Sequence, residues 1–263
     1  MLRCAWGCGP IPTSRKGYFE HHTALEVMES YYDILSGDTL HAWRKEAGRD
    51  FHMILDANRW LTLDPMDERG ETPFGDPLGE VGFLKVTEAN RKIWEAVASQ
   101  SRALHANVVL LRTPASFTPS RQNIENLTRF RKEIIGEVPY QIAWEPRGMW
   151  EAEEVDELAA EVGLIVARDP WSEFEFLDPP ESDVIYTLTH PRGRRNFDRD
   201  DVAEFIEYLE EHSGHVSVIF RGSERKRNAY AFGEELQRSQ ASAHVFQILD
   251  EDIEALEADA DDE

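Results

Sequence analysis

Eight short apolar runs recur along the chain, and most of them end at a polar or charged residue. Residues 140–145 show the pattern, because this run ends at Glu145 and is followed by Arg147, Trp150 and a helical pattern from Glu151. Strands that alternate with helices favour a parallel sheet, and eight such units favour closure into a barrel. The sequence therefore predicts a single TIM-type (β/α)8 barrel.

The length of 263 residues agrees with the roughly 250 residues typical of this barrel. A doubly wound open sheet is the alternative, and it usually carries a glycine-rich phosphate loop after an early strand. Here Gly7-x-Gly9 continues into Pro10 rather than into a helix, so the dinucleotide fingerprint is missing. We expect the barrel to span residues 1–249 and the acidic residues 250–263 to form a disordered tail.

Short apolar runs predict the strands, and apolar residues at the helical period predict the helices. Pro, Gly and charged residues predict a long loop at 64–80. The predicted strands cover residues 2–8, 25–32, 51–57, 108–111, 140–145, 164–167, 184–189 and 215–220. The predicted helices cover residues 38–47, 86–104, 123–135, 152–162, 200–212 and 230–238.

The chain is strongly acidic, with 51 acidic and 28 basic residues and a formal charge of −23. This charge disfavours broad nonspecific binding to nucleic acid or an anionic membrane, but it leaves a local basic groove open. A dense acidic surface with little Lys is typical of proteins kept soluble in high salt, so we expect a halophilic cytoplasm. An ordinary acidic protein with a very acidic tail is the alternative. No apolar run approaches the ~20 residues of a membrane span and no signal peptide is recognised, which favours a cytoplasmic protein.

Polar residues at the predicted strand ends form the candidate site, because the downstream ends of barrel strands meet at one face. The predicted strands end near Cys8, Tyr32, Asp56, Arg112, Glu145, Asp169, His190 and Arg221. A further carboxylate, Glu29, lies near the end of the second predicted strand.

Three interpretations of this ring of polar residues stay open. Glu29, Glu145, Asp169 and His190 are candidate catalytic residues that act as acid or base. The same residues together with Asp56 are alternatively ligands of a divalent cation. The third interpretation is a ring of ion pairs that closes the barrel, with partners Arg112, Arg147, Arg168 and Arg221.

Two arginine-rich segments follow the last two predicted strands, with Arg192, Arg194 and Arg195 in the first and Arg221, Arg225, Lys226 and Arg227 in the second. Loops after strands seven and eight frequently bind phosphate in this fold, and guanidinium groups suit phosphate oxygens. We therefore predict that a small anionic or phosphorylated ligand binds there. Pairing with Asp198, Asp200 and Asp201 is the alternative. The predicted anion-binding residues are Arg112, Arg147, Arg194, Arg195 and Arg221.

Aromatic residues crowd the same predicted strand ends. Tyr31 and Tyr32 end a predicted strand, and three Trp residues follow predicted strands, namely Trp60, Trp150 and Trp171. Rings at these positions could stack on a base or a sugar ring. Tyr32 and Trp60 are accordingly candidate substrate-binding residues. The alternative is that these rings pack the loops onto the barrel.

Several segments, taken in order, resemble motifs of the YecE-like proteins, also called the DUF72 family. Residues 25–43 are similar to the family's "VEINSTFY…TLxxW", residues 51–60 to "FxFxxKxxRW", residues 108–117 to "vLfQLPPSF" and residues 144–150 to "vEFRHxSW". Asn228-Ala229 stands where the family has "NA". Departures mark a divergent member, because Asp56 stands near the family's Lys, Arg112-Thr113-Pro114 replaces "QLP" and Arg221-Gly222 replaces "NN".

The resemblance implies a TIM barrel distantly like sugar isomerases and apurinic endonucleases, and it implies no particular activity. From the residues we expect an enzyme that acts on a phosphorylated or anionic substrate, such as a sugar phosphate or a nucleic-acid end. A non-enzymatic anion-binding or adaptor protein is the competing class. The sequence leaves open whether a divalent metal takes part.

Overall fold

Eight parallel strands close into one barrel in the computed structural model of the chain, with each strand beside its neighbour in sequence. The structure describes residues 3–11, 15–66, 70–171, 176–180, 182–189 and 197–238. The strands are β1 Arg3–Cys8, β2 Ala24–Val27, β3 His52–Asp56, β4 Val108–Arg112, β5 Gln141–Glu145, β6 Ile165–Arg168, β7 Val184–Leu188 and β8 His215–Phe220. The predicted barrel is confirmed, and the predicted tail at 250–263 lies outside the described residues.

Helices and short turns connect the strands. The α-helices are α1 Lys16–Phe19, α2 Glu29–Tyr32, α3 Gly37–Ala47, α4 Glu88–Leu104, α5 Arg121–Phe130, α6 Ala152–Val162, α7 Arg199–Leu209 and α8 Arg225–Arg238. Single 3₁₀ turns lie at Arg59–Leu61 and Leu78–Glu80, and a π-helical turn at Arg131–Ile135 continues α5.

Side-chain caps fix where the long helices begin. The hydroxyl oxygens of Ser36, Thr87 and Ser120 accept hydrogen bonds from backbone N–H groups in the first turns of α3, α4 and α5. Each cap satisfies one of the donors that a helix start leaves open, which stabilises the helix by about 1 kcal/mol. The caps of α3 and α4 lie within two residues of the predicted helix starts. The cap of α5 lies three residues before the predicted start.

The second predicted strand is wrong in its extent. β2 ends at Val27, and residues 29–32 form the short helix α2. Ser30 explains the break, because its Oγ lies 2.7 Å from both the Val27 and the Asp56 carbonyl oxygens. The predicted last helix also begins earlier, at Arg225 rather than Tyr230.

The barrel interior is filled by small and branched apolar residues, which form a cluster separate from the layer between strands and helices. In β4, Val108 and Leu110 belong to this interior cluster, while Val109 and Leu111 belong to the outer one. Side chains alternate between the two faces of a strand, so Arg112 continues the interior row at the downstream end. The remaining interior residues are Ala5, Ala24, Ile54, Ala143, Ala167, Ile185 and Ile219.

A single arginine joins the ends of two helices to the strand that follows. Arg44 donates from Nε to the Leu104 carbonyl at 2.8 Å, from Nη1 to the Gly48 and Phe51 carbonyls at 3.0 and 2.7 Å, and from Nη2 to the His105 carbonyl at 2.6 Å. These carbonyls lie at or just beyond the ends of α3 and α4, where helical partners are missing. Arg44 thus joins the helix layer through carbonyl groups, and it pairs with no acid in the part of the chain that the structure describes.

Among the residues that the structure describes, no helix is long and apolar enough to cross a membrane.

Candidate functional site

The interior row of the barrel ends in a buried network of charged residues at the downstream face, which we call the mouth. Arg221 follows β8 and donates from Nε and Nη2 to the two carboxylate oxygens of Glu26, at 2.9 and 2.5 Å. Its Nη1 and Nη2 also donate to the two oxygens of Glu145, at 2.7 and 2.9 Å. Charge-assisted bonds in such bidentate pairs are stronger than neutral ones, so Arg221 holds β2 and β5 together across the mouth.

Arg112 is the second guanidinium of the network. It forms an ion pair with Asp56, and its Nη2 lies 3.7 Å from Oε1 of Glu26. Its Nε lies 3.8 Å from Oε2 of Glu145 and has no hydrogen-bond partner among the described residues. The Arg112 Cζ atom is 4.7 Å from the ring centre of Tyr31, a cation–π distance. Arg112 is thus covered on one side and keeps an unused donor.

These five residues, Glu26, Asp56, Arg112, Glu145 and Arg221, form the mouth network. Three carboxylates against two guanidinium groups give it a formal charge of −1. Arg147 offsets this charge from the rim, where its Nη2 lies 3.8 Å from Oε1 of Glu145 and 56% of its side chain is exposed.

Burial and charge oppose each other in the pKa values of the mouth network. Burial alone would raise the pKa of the Glu26 carboxyl, but Arg221, followed by Arg112 and Arg147, lowers it below the usual range. Burial would likewise lower the pKa of Arg221, and its bonds to Glu26 and Glu145 raise it instead. The pKa of Arg112 is lowered, because burial exceeds the effect of its acidic neighbours. The pair of Arg221 and Glu26 is therefore ionised.

Gly9 lets β1 approach this network. A Cβ atom at Gly9 would lie 2.3 Å from Oε2 of Glu26, so any side chain would displace the carboxylate from Arg221. The backbone N–H of Gly9 donates to the Phe220 carbonyl at 3.1 Å, one residue before Arg221.

The predicted residue Glu29 lies beside the mouth network. It is the first residue of α2 rather than a strand residue, because the chain turns after Val27. The side chain is half-buried, and its Oε2 has no hydrogen-bond partner among the described residues. Burial raises the pKa of the Glu29 carboxyl, the nearby charge of Glu26 adds to this effect, and Arg225 opposes it. Within the described ranges, no arginine forms an ion pair with Glu29.

Asp169 follows β6 but makes no ion pair with the mouth network within the described ranges. Its Oδ1 accepts a hydrogen bond from the backbone N–H of Trp171 at 3.1 Å. Burial raises the pKa of the Asp169 carboxyl to about 6, and the bond from Trp171 opposes the shift. The residue is nevertheless exposed, so water reaches the carboxylate and weakens that effect.

The prediction that Arg168 pairs with strand-end carboxylates of the mouth is wrong. Its Nη1 donates to both carboxylate oxygens of Asp156 in α6, at 3.1 and 3.0 Å, and its Nη2 donates to the Asp178 carbonyl at 3.0 Å. The cause is the alternation of β6: Ala167 packs with the interior cluster and Val166 with the outer one. Arg168 therefore faces the helix layer.

Several predicted residues lie outside the described ranges, namely His190, Arg192, Arg194 and Arg195. The acids proposed to neutralise them begin α7, where Asp198 and Asp201 form a reciprocal cap. In the second arginine-rich segment, Arg225 donates to the carbonyls of Pro10 and Gly222 at 3.2 and 3.1 Å.

The five predicted aromatic residues differ in what they contact. Trp150 donates to the Phe117 carbonyl at 2.6 Å and packs edge-on against Trp144. Trp171 stacks with Phe176 and makes tilted contacts with Phe197 and Phe205. These two rings pack loops onto the barrel, as in the alternative interpretation. Trp60 is buried, Tyr31 lies beside Arg112 and Tyr32 is 59% exposed.

The sequence interpretation missed Glu26, although it makes the closest contacts to Arg221. It lies inside the apolar run 24–27, flanked by Leu25 and Val27, and is fully buried. A lone carboxylate at an alternate position of a strand is the signal that could have found it, because Ala24 and Glu26 share the interior face.

The predicted metal ligands do not converge in the part of the chain that the structure describes. No group of three or more His, Cys, Asp or Glu residues is placed there to hold a metal ion. Asp56 and Glu145 are paired with arginines instead, and His190 is not described.

The comparison with known proteins identifies a family. A family model described as "Protein of unknown function DUF72" matches residues 13–251. None of the curated proteins matches the chain. A DUF72 family protein from Enterococcus faecalis V583 is 15% identical with a TM-score of 0.64, over 90% of this chain and 97% of that chain. A second, from Thermotoga maritima MSB8, is 15% identical with a TM-score of 0.62, over 90% and 98%.

More distant structures share the fold alone. An AP endonuclease of family 2 from Brucella melitensis is 14% identical with a TM-score of 0.53, over 89% of this chain and 99% of that chain. A xylose isomerase domain containing protein from Salmonella typhimurium LT2 is 16% identical with a TM-score of 0.53, over 90% and 94%. The match to the family model spans most of the sequence, and the chain therefore belongs to the DUF72 family of proteins of unknown function.

Proposed function

We propose that the mouth binds a small anionic or phosphorylated ligand and that the protein is an enzyme acting on it. The proposal rests on Arg147, whose exposed guanidinium has hydrogen-bond donors that no described residue uses. Arg147 donates no hydrogen bond within the described residues, its side chain is 56% exposed, and both oxygens of its nearest acid, Glu145, already bind Arg221. A guanidinium with unused donors suits phosphate or carboxylate oxygens.

A bend after β5 places Arg147 at the rim. Pro146 precedes it, and Gly148 follows with φ +96°. A Cβ atom at Gly148 would lie 2.7 Å from the Ala115 carbonyl oxygen, so only glycine fits this approach. A guanidinium on a fixed bend loses less freedom on binding than one on a flexible loop.

Glu29 supplies the group suited to proton transfer. Glu26, Asp56 and Glu145 form ion pairs with arginines, whereas the buried Oε2 of Glu29 has no hydrogen-bond partner among the described residues and its carboxyl has a raised pKa. Proton transfer is most efficient when the pKa of the group lies near the working pH. Similar folds named for a xylose isomerase domain and an AP endonuclease make a sugar phosphate or a nucleic-acid end a compatible substrate, but they contribute only the fold.

A non-enzymatic anion-binding or adaptor protein is the second candidate. This candidate is favoured because every carboxylate of the mouth network forms an ion pair with Arg112 or Arg221. Carboxylates in such pairs are poorly suited to proton transfer with a substrate. Turnover of a phosphate ester that is lost in Glu29→Gln, with phosphate binding kept, would favour the enzyme. Binding without turnover across a panel of esters would favour the adaptor.

Inorganic phosphate should raise the melting temperature of the wild type, and Arg147→Ala should lose most of this effect. At about ten times the dissociation constant the expected rise is roughly 3–5 °C, because the ligand binds only the folded state. The titration is run at fixed high ionic strength, since excluded salts stabilise proteins nonspecifically. Arg129→Ala is the matched control, because Arg129 is an exposed arginine paired with Glu133 on α5. Equal stabilisation of all three proteins would contradict the proposal.

Glu29→Gln should be more stable than the wild type, and its advantage should grow as the pH rises. The raised pKa of Glu29 means that folding favours the protonated form. Its stabilising effect is therefore present at low pH and is lost as the pH rises through the folded-state pKa. Urea unfolding of both proteins at pH 5.5 and pH 8 measures the difference. An advantage that stays constant or reverses over this range would show that Glu29 is not held as a desolvated acid.

A further inference from the structure

Arginine and aromatic side chains form a row of contacts that starts at Arg112 of the mouth network. Tyr31 and Tyr32 contact each other edge to face, with ring centres 5.1 Å apart. Arg112 lies 4.7 Å from the Tyr31 ring centre, and Arg59 lies 5.8 Å from that of Tyr32. Arg59 also lies 5.5 Å from the ring centre of the buried Trp60. The row therefore has buried residues at both ends, Arg112 and Trp60, and the exposed Tyr32 between them.

Arg147 is linked to this row through Glu145, whose Oε1 lies 3.8 Å from Nη2 of Arg147 and whose Oε2 lies 3.8 Å from Nε of Arg112. Desolvation raises the pKa of Tyr31, and the charges of Arg112, Arg147 and Arg59 oppose that shift. Arg147, the proposed anion ligand, therefore acts electrostatically on the same tyrosine that touches Tyr32. Arg147 and the tyrosine pair thus both adjoin the contact between Glu145 and Arg112 at the mouth.

We propose that this rim is a nucleotide subsite, in which Tyr32 stacks on a nucleobase and Arg147 binds the phosphate. This inference rests on the proposed function, because it uses Arg147 as the anion ligand, and it adds the class of substrate. Base stacking on an aromatic side chain needs one open ring, and every nucleobase offers a suitable face. Tyr32 is 59% exposed, unlike Trp60, which is buried. A sugar phosphate would bind Arg147 through its phosphate but would have no base to stack on the Tyr32 ring.

A free nucleotide fits this protein better than the end of a nucleic-acid strand. The chain carries a formal charge of −23, which repels the further phosphates of a strand. A mononucleotide brings one phosphate to Arg147 and places no other charge against the acidic surface.

Calorimetric titration at fixed ionic strength tests the subsite with adenosine 5′-monophosphate, ribose 5-phosphate, adenosine and inorganic phosphate. The nucleotide should bind about tenfold more tightly than ribose 5-phosphate, because stacking adds to the phosphate contact. Tyr32→Leu should remove this advantage and leave ribose 5-phosphate binding unchanged, whereas Tyr32→Phe should keep it. Tyr230→Leu is the matched control, since Tyr230 is another exposed tyrosine and should keep the full advantage.

The outcomes separate this inference from the proposed function. Equal affinity for the nucleotide and ribose 5-phosphate, with both lost in Arg147→Ala, would overturn the nucleotide subsite and keep the anion site. Failure of phosphate, ribose 5-phosphate and the nucleotide to bind would overturn both. A 5′-phosphorylated pentanucleotide should bind more weakly than the mononucleotide, and tighter binding would overturn the assignment to a free nucleotide.

Discussion

Replacing Arg221 with Met should lower the free energy of unfolding by about 3–5 kcal/mol, because two buried carboxylates would lose their main cationic partner. Glu26 is fully buried and Glu145 is 6% exposed, and four of the hydrogen bonds between them and Arg221 would be lost together. Removing one partner of a buried ion pair leaves a charge that water cannot reach. By contrast, an exposed ion pair such as that of Arg129 and Glu133 contributes about 1 kcal/mol or less.

Urea unfolding at constant salt measures this loss, and Arg221→Lys is the control. Lysine keeps the positive charge but offers a single ammonium in place of the guanidinium fork, so we expect an intermediate loss. The folded-state pKa of Glu26 is lowered, so its contribution is present above the unfolded value of 4.5 and is lost as the pH falls towards the folded value. A loss below about 1 kcal/mol in Arg221→Met would contradict a buried and ionised network.

Arg44→Met should cost about 3–5 kcal/mol, and the reason differs from that for Arg221. Arg44 pairs with no acid among the described residues and donates to the carbonyls of Leu104, His105, Gly48 and Phe51. Hydrogen bonds to a charged group contribute about 1.5–3 kcal/mol each, and their contributions do not add fully. Burial lowers the pKa of Arg44 to about 10, so the carbonyl bonds have to offset the cost of burying a guanidinium.

Urea unfolding again provides the measurement, with Lys45→Met as the matched control on the same helix. Lys45 is exposed, so its replacement should change stability by less than about 0.5 kcal/mol. Arg44→Lys should recover only part of the loss, because one ammonium cannot reach carbonyls at the ends of both α3 and α4. A loss in Arg44→Met as small as that in Lys45→Met would show that the helix ends do not depend on Arg44.

The barrel could be predicted because apolar runs and helical patterns alternate eight times along the chain. The same pattern located Arg112, Glu145 and Arg221, since each stands where an apolar run ends. The pairing among them could not be predicted, because it depends on which strand ends face one another across the barrel and on distances that the sequence does not contain.

Errors arose where alternation along a strand was not followed. Arg112 lies four residues beyond the interior residue Val108 and so faces inward, whereas Arg168 lies one residue beyond the interior residue Ala167 and faces outward. Glu26 was missed because it lies within an apolar run rather than at its end. Glu29 was wrongly placed in a strand because the apolar pattern of residues 25–32 does not show that the strand ends before Ser30. The hydroxyl of Ser30 bonds to the Val27 carbonyl at that point.

The central claim is that an anion binds at Arg147 above the mouth network, and anomalous diffraction from crystals soaked in selenate tests it most directly. The expected result is a selenium peak in the mouth whose oxygens lie about 2.7–3.2 Å from guanidinium nitrogens of Arg147, with the peak missing in Arg147→Ala. A wild-type map with no peak in the mouth, or with selenate bound only beside the exposed Lys226 and Arg227 of α8, would contradict the claim.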